Sequence, residues 1–180
     1  GRPTEFEEML LPDAGVCLGK YVHPGQLEAV AVFPFREPLP GKRVWLSRSR
    51  LAEHAGRILD EDEIESRLRS IGWMILHPQE LPVRRQLEIM SDAETIGGFL
   101  GSAFHTLILA NNIHARIRII DRSMVWAAGT YEEIARHKRL DQQILRMPVA
   151  VLDPTLRRPK WQGWFEDPRD RERVVEMLNA

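Results

Sequence analysis

Residues 96–106 read IGGFLGSAFHT, with Gly97, Gly98 and Gly101 crowded into five positions and followed at once by Ser102, Ala103, Phe104 and His105. Glycines here let the backbone turn sharply and approach a neighbour where a Cβ would intrude. Ser102 has the chemistry of a helix N-cap. If ETIGG is the end of a strand, the stretch is a strand–turn–helix junction. Its free amides and the positive end of the helix suit an anion such as phosphate. A plain tight turn satisfies the same pattern, since this is neither a Walker motif nor the G-x-G-x-x-G fingerprint. The neighbouring segments have to decide.

Outward from that junction the chain alternates. RVWLS (Arg43 to Ser47) follows a Pro-Gly turn as a strand, and DEDEIESRLRSIGW places Ile64, Leu68 and Ile71 at helical spacing. Asp60 and Glu63 form a D-x-x-E start expected to cap that helix, and Gly72 ends it. MIL (Met74 to Leu76) is a second strand closed by Pro78, and VRRQLEIMSDA a second helix with Val83, Leu87 and Met90 on one face. ETIGG supplies the third strand and SAFHTLILANN the third helix. ARIRIID is a fourth strand, TYEEIARHKRL a fourth helix, PVAVL a fifth short strand and DPRDRERVVEML a closing helix. This rhythm predicts an α/β fold, a Rossmann-like parallel sheet of about five strands with helices on both faces. The first forty residues carry six prolines and only short apolar runs, so residues 1–40 read as an arm or linker and 41–180 as the domain.

Ligands of such sheets bind beyond the carboxyl ends of the strands. That selects residues 47–50, 76–78, 97–101 and 121–122. Arg48 and Arg50 follow the first strand and Arg57 precedes the first helix, all three suited to phosphate, although arginines at strand ends are commonly just solvated. His105 would lie in the first turn of the third helix, where the helix N-terminus disfavours the imidazolium; packing beside Phe104 is its plainer role. The acidic run 60–65 is explained by helix capping. WQGWF (Trp161 to Phe165) is outside the rhythm and reads as a tail packed back on the domain or a clamp for a neighbouring domain or sugar ring.

Composition narrows the function classes. The chain has 180 residues, 43% hydrophobic and 28% charged, as a globular domain should. A formal net charge of -1 offers no basic field for nucleic acid, and Cys17 is the single cysteine, consistent with a reducing compartment. No apolar run approaches the ~20 residues that span a bilayer. The six histidines form no H-x-x-x-H or H-x-H pair, so no metal site is expected, and the chain reads as cytoplasmic.

The run from Val44 to Leu109 resembles the core of the family 61 glycosyltransferases, which include bacterial capsular-polysaccharide-type enzymes and eukaryotic xylosyl- and N-acetylglucosaminyltransferases. Ser47-Arg48 matches that family's strand ending in S-R. Arg57-Ile58 with Glu61 and Glu63 matches its R-R-I-x-N-E-x-E element. Gly72-Trp73 with Glu80-Leu81, then Gln86, then Gly101-Ser102-Ala103 match the remaining elements in order. The chain departs from the pattern at Asp60 for asparagine, Arg85 for glutamate, Leu100 for histidine and Thr106 near the usual asparagine.

The resemblance implies the C-terminal, donor-binding half of a GT-B transferase, inverting, working on a nucleotide sugar and a glycan acceptor in polysaccharide or glycan synthesis. It implies Arg48, Arg57, Gln86, Gly101, Ser102, Ala103 and His105 as donor-binding residues, no cofactor or bound metal, and a second domain or partner chain to complete the cleft and supply the base. No catalytic residue is identified in this half. The alternatives are a non-catalytic Rossmann-like interaction module and, with no nucleophile motif to support it, an unrelated phosphohydrolase-like α/β enzyme.

Overall fold

The computed structural model describes residues 15–17, 21–52, 55–121, 129–147, 150–151, 163–165 and 167–179. Its centre is a five-stranded parallel sheet of β1 (Leu39–Leu46), β2 (Trp73–Leu76), β3 (Ala93–Phe99), β4 (Arg116–Asp121) and β5 (Gln142–Arg146). The order across the sheet is β2-β1-β3-β4-β5, every neighbouring pair parallel. Helices α1 (Pro24–Val30), α2 (Glu61–Ser70), α3 (Val83–Met90), α4 (Gly129–Lys138) and α5 (Arg169–Asn179) complete the frame. The expected Rossmann-like α/β class is therefore the observed one.

Period-two alternation on each strand divides the core into two layers. Val44 and Leu46 of β1, Ile96 of β3 and Ile117 and Ile119 of β4 face Leu87 and Met90 of α3 and Tyr131 of α4. Trp45, Phe99 and Ile120 face the other way, onto Ile64 and Leu68 of α2 and Val174 and Leu178 of α5. Strands carrying apolar side chains to both faces are what a sheet covered on both sides requires.

Four elements differ from the sequence expectation. Gly97 and Gly98 belong to β3 itself, where they serve packing. A Cβ on Gly97 would lie 3.0 Å from Leu178 and 3.2 Å from Trp73, and one on Gly98 2.9 Å from the Leu46 carbonyl and 3.3 Å from Phe104. The segment after them is a 3-10 helix, Ser102–Leu109, preceded by Gly101, and no side-chain cap bond forms at its start. The Asp60–Glu63 capping pair is likewise not formed: Asp60 occupies the left-handed region at φ 61° and ψ 17°, a conformation that aspartate and asparagine tolerate. Both side chains reach Arg171 of α5 instead, at 3.6 and 2.6 Å.

The fifth strand of the sheet is β5, QQILR, and not PVAVL. Of PVAVL, Ala150–Val151 pairs antiparallel with Gly163–Trp164, and the other three residues lie outside the described ones. An edge strand needs few apolar positions, and the two glutamines and arginine of β5 hid it from a hydropathy reading. Arg122, the first ten residues and Trp161 and Gln162 of WQGWF also lie outside the described residues. Phe165 is buried beside Phe99, ring centroids 6.1 Å apart. Within residues 1–40, Leu27 of α1 and Val22 pack on Ile134 of α4, and Phe35 enters the main core.

Candidate functional site

A parallel sheet ordered β2-β1-β3-β4-β5 reverses its winding between β1 and β3, so the two chains leave those strands in opposite directions and open a crevice at their carboxyl ends. A cavity of about 230 Å³ occupies that position, lined in part by Ser47 and Arg48 after β1, Gln86 of α3, and Ser102, Ala103 and Thr106 of the 3-10 helix. Pro78 and Gln79 form its remaining rim, with Leu51. The structure thus brings together Arg48, Gln86, Ser102 and Ala103, with Gly101 adjoining.

Arg48 is the most constrained of these. It is buried, and its Nε donates to the Gly56 carbonyl at 2.9 Å and its Nη2 to the Ala55 carbonyl at 2.5 Å. Its Nη1 lies where a Cβ on residue 101 would be, 2.0 Å away, so only glycine fits opposite this guanidinium. Gly101 itself is extended at φ 176° and ψ 170°; its role is space, not an unusual backbone angle. Burial pulls the Arg48 pKa down from its ordinary value, while Glu61 and Tyr131 act the other way. An arginine so tuned remains a cation at neutral pH.

Below the loop after β1 are two carboxylates one helical turn apart on α2. Glu61, fully buried, accepts the Trp45 indole N–H at 3.0 Å and the Arg48 main-chain N–H at 3.0 and 3.2 Å. Burial raises its pKa to about 8, with the Glu65 charge adding to the rise and its donors and Arg48 opposing it. Glu65 accepts the Ser47 hydroxyl at 2.6 Å and Arg69 at 2.8 Å. Burial pushes Glu65 up too, but its hydrogen bonds from Ser47 and Ser49 bring it below its ordinary value. His77, at the end of β2, is buried with no partner on Nδ1 among the described residues, and burial lowers its pKa.

The other expected residues divide. Gln86 spends its amide on the turn after β2, donating to the Pro78 carbonyl at 2.8 Å and the Leu81 carbonyl at 2.9 Å, so it fixes one rim of the cavity. The first amide bonded within the 3-10 helix is that of Phe104, to the Gly101 carbonyl at 3.1 Å, ahead of which come Ser102 and Ala103. His105 stacks on Tyr131 of α4, ring centroids 4.7 Å apart, and its Nε2 is buried with no partner among the described residues. Its pKa is lowered as anticipated, but burial is the cause, not a helix terminus. Arg57 is exposed and does not line the cavity, although it directly follows the two carbonyls that hold Arg48. Arg50 pairs with Glu80 at 3.0 Å on the exposed surface.

Sequence reading missed Glu61 and Glu65 as parts of the site because an acidic helix start is ordinarily explained by capping. The usable signal was their i, i+4 spacing beside Ile64 and Leu68, which puts them on the buried face. Among the described residues no group of three or more His, Cys, Asp or Glu could hold a metal ion, and no helix is long and apolar enough to cross a membrane.

A second and larger cavity of about 320 Å³ lies between α1 and α4, lined among others by Asn111, Asn112, His137 and Lys138. It opens at the amino end of the strands, away from the crossover, and Lys138 there is committed to the Ile108 carbonyl at 3.1 Å. Topology and the pinned arginine favour the smaller cavity as the functional one.

Comparison with known families agrees with the geometry. No curated protein matches the sequence. The family described as Glycosyltransferase 61 matches residues 12–116, more than half the chain, from the segment before α1 to the start of β4. That span contains every residue identified above as lining the switch-point cavity, and the chain belongs to the Glycosyltransferase 61 family.

Proposed function

We propose that this glycosyltransferase domain binds the nucleotide-sugar donor, with the diphosphate seated at the crossover between β1 and β3. The observation that carries the reading is Arg48, buried and pinned through two of its nitrogens, in a switch-point cavity that Ser102 and Ala103 also line. As a glycosyl group leaves its donor, negative charge gathers on the departing diphosphate. A preorganised guanidinium and main-chain donors stabilise that charge with no reorganisation at the moment of reaction, and no metal is needed for it. His105, stacked on Tyr131, backs the 3-10 helix that begins with Ser102 and Ala103.

The cavity of about 230 Å³ is smaller than the roughly 300–1,000 Å³ usual for a whole ligand. This suits one half of a GT-B, inverting enzyme, in which a second domain or partner chain closes over the donor, brings the glycan acceptor and supplies the base. Polysaccharide synthesis in the cytoplasm is the setting consistent with this reading.

A thermal-shift series with UDP, GDP, ADP and CMP tests it. At least one nucleotide raises the melting temperature of the native chain, and Arg48→Ala removes the rise. A flat response to all four, with the second domain supplied, would overturn the donor reading.

The commitments of Arg48 and Gln86 to internal carbonyls, together with Leu100 in place of the family histidine, favour a second reading: a non-catalytic interaction module. A chain that self-associates or holds a partner while ignoring nucleotides supports that instead.

A further inference from the structure

The buried face of α2 carries a carboxyl group where a hydrophobe would pack. Glu61 is fully buried within a layer formed by Trp45, Ile58, Ile64 and Phe99. Burying a carboxyl group costs several kcal/mol unless its oxygens are satisfied. Both oxygens of Glu61 are satisfied by the strand end they lie under, and in one specific way. Oε1 takes the Trp45 indole N–H and both oxygens take the main-chain N–H of Arg48. Trp45 in turn meets Phe99 of β3 edge to face at 5.3 Å. Glu61 therefore touches β1 through a side chain and through the backbone of the one residue whose guanidinium enters the cavity.

Glu65 does not duplicate this. Its contacts are the Ser47 hydroxyl, Ser49 and Arg69, and it leaves the Arg48 backbone to Glu61. With the main chain of Arg48 fixed from below, its Nε and Nη2 reach the Gly56 and Ala55 carbonyls, and Nη1 is turned to the glycine gap at 101. Three hydrogen bonds and the space left by Gly101 define one orientation of the guanidinium. Removing the lowest frees the backbone from which the other three are measured.

We propose that Glu61 is the positioning residue of the donor site: by accepting the Arg48 main-chain N–H and the Trp45 indole N–H, it aims the Arg48 guanidinium at the donor diphosphate. The proposal rests on the reading of the switch-point cavity given above. Glu61 makes no contact with the ligand and acts through Arg48 alone.

The test uses the whole chain and inorganic pyrophosphate, with UDP as a second probe, by titration calorimetry. Glu61→Met keeps the volume and removes both acceptors. It is expected to weaken pyrophosphate binding by about tenfold, the equivalent of one lost buried hydrogen bond. Glu61→Gln keeps one acceptor and is expected to restore affinity to within about threefold of the native chain. Ile64→Ala, a cavity in the same layer that leaves both Glu61 acceptors in place, lowers the melting temperature but leaves affinity within about twofold. If Glu61→Met does not fold, Glu61→Asp, which withdraws the carboxylate by one methylene, replaces it with the same expected loss.

Native affinity in Glu61→Met, or an equal loss in Ile64→Ala, would overturn the proposal. A separate readout needs no ligand. The Arg48 Nε–H resonance, shielded from solvent exchange by the Gly56 carbonyl, is expected to persist in the native chain, Glu61→Gln and Ile64→Ala and to disappear in Glu61→Met. Its persistence in Glu61→Met overturns the positioning role. Failure of the native chain to bind either probe, with the resonance behaving as expected, would instead sink the donor reading and leave the positioning role standing.

Discussion

The two ends of the sheet each bury a carboxyl group, and they treat it in opposite ways. At the amino end Asp92, just before β3, faces Lys42 and Arg36, the latter at 3.3 Å. Burial pushes Asp92 up, but those cations hold its pKa below the usual carboxylate value. At the carboxyl end Glu61 meets mainly neutral donors, and its pKa rises to about 8. The first arrangement serves stability at neutral pH. The second contributes less to stability as pH rises toward neutrality. A buried carboxyl group of that kind is better explained by the loop it organises than by the fold it inhabits.

The largest effect expected from this contrast comes from closing the gap that Arg48 fills. Gly101→Ala puts a methyl group 2.0 Å from the Nη1 position and must displace the guanidinium. Nucleotide-induced stabilisation, read by thermal shift, is expected to vanish, while the unliganded chain keeps most of its stability. A Gly101→Ala chain that still responds to nucleotide would break the distinction between the two ends.

Next in size is the strand interior. Gly98→Ala meets the Leu46 carbonyl at 2.9 Å, which cannot move without bending β1. Urea denaturation should register a loss of about 1–3 kcal/mol.

The pH dependence sharpens the comparison directly. Glu61 is ordinary in the unfolded chain and raised in the folded one, so its contribution is complete below pH 4.5 and is lost as pH rises through about 8. Asp92 has the reverse sign, contributing above its ordinary value of 3.8 and losing that contribution as pH falls through its lowered folded value. Glu61→Gln is expected to flatten the stability profile between pH 4.5 and 8, and Asp92→Asn to flatten only the acid limb. Denaturant midpoints from pH 8 down into the acid limb below pH 3.8 check both.

The smallest effect belongs to the exposed pair Arg116 and Glu94 at the amino end, 44% and 38% exposed. Arg116→Ala should change stability by about 0–1 kcal/mol and nucleotide response not at all.

Much of this architecture was legible in the sequence. The alternation of strands and helices, the S-R strand end and the placing of 101–103 at the ligand edge all came from local pattern. What escaped were the features that depend on partners far along the chain. Gly97 and Gly98 read as a turn because nothing local says that Leu178, Trp73 and Leu46 need the space. Ser102 read as a cap although the helix it opens is a 3-10 helix. Glu61 read as a helix-start charge because its true partners, Trp45 and Arg48, lie in an earlier strand and loop. Of the arginines, Arg48 and Arg57 are indistinguishable by residue type, and only the fold separates the pinned one from the exposed one.

The meeting of Arg48 with Gly101 has a consequence for assembly. Residues 48 and 101 become neighbours only after the chain has run out to β2 at the edge and crossed back over β1 to lay down β3. The order of events is therefore built into the pocket: no shorter segment of the chain can form it, and an intermediate lacking the β1–β3 pairing has nowhere to put the arginine. Long-range closure of this kind is slow compared with local helix formation. On the donor reading proposed above, recovery of a ligand response during refolding therefore times the docking of β3 and not the appearance of helices.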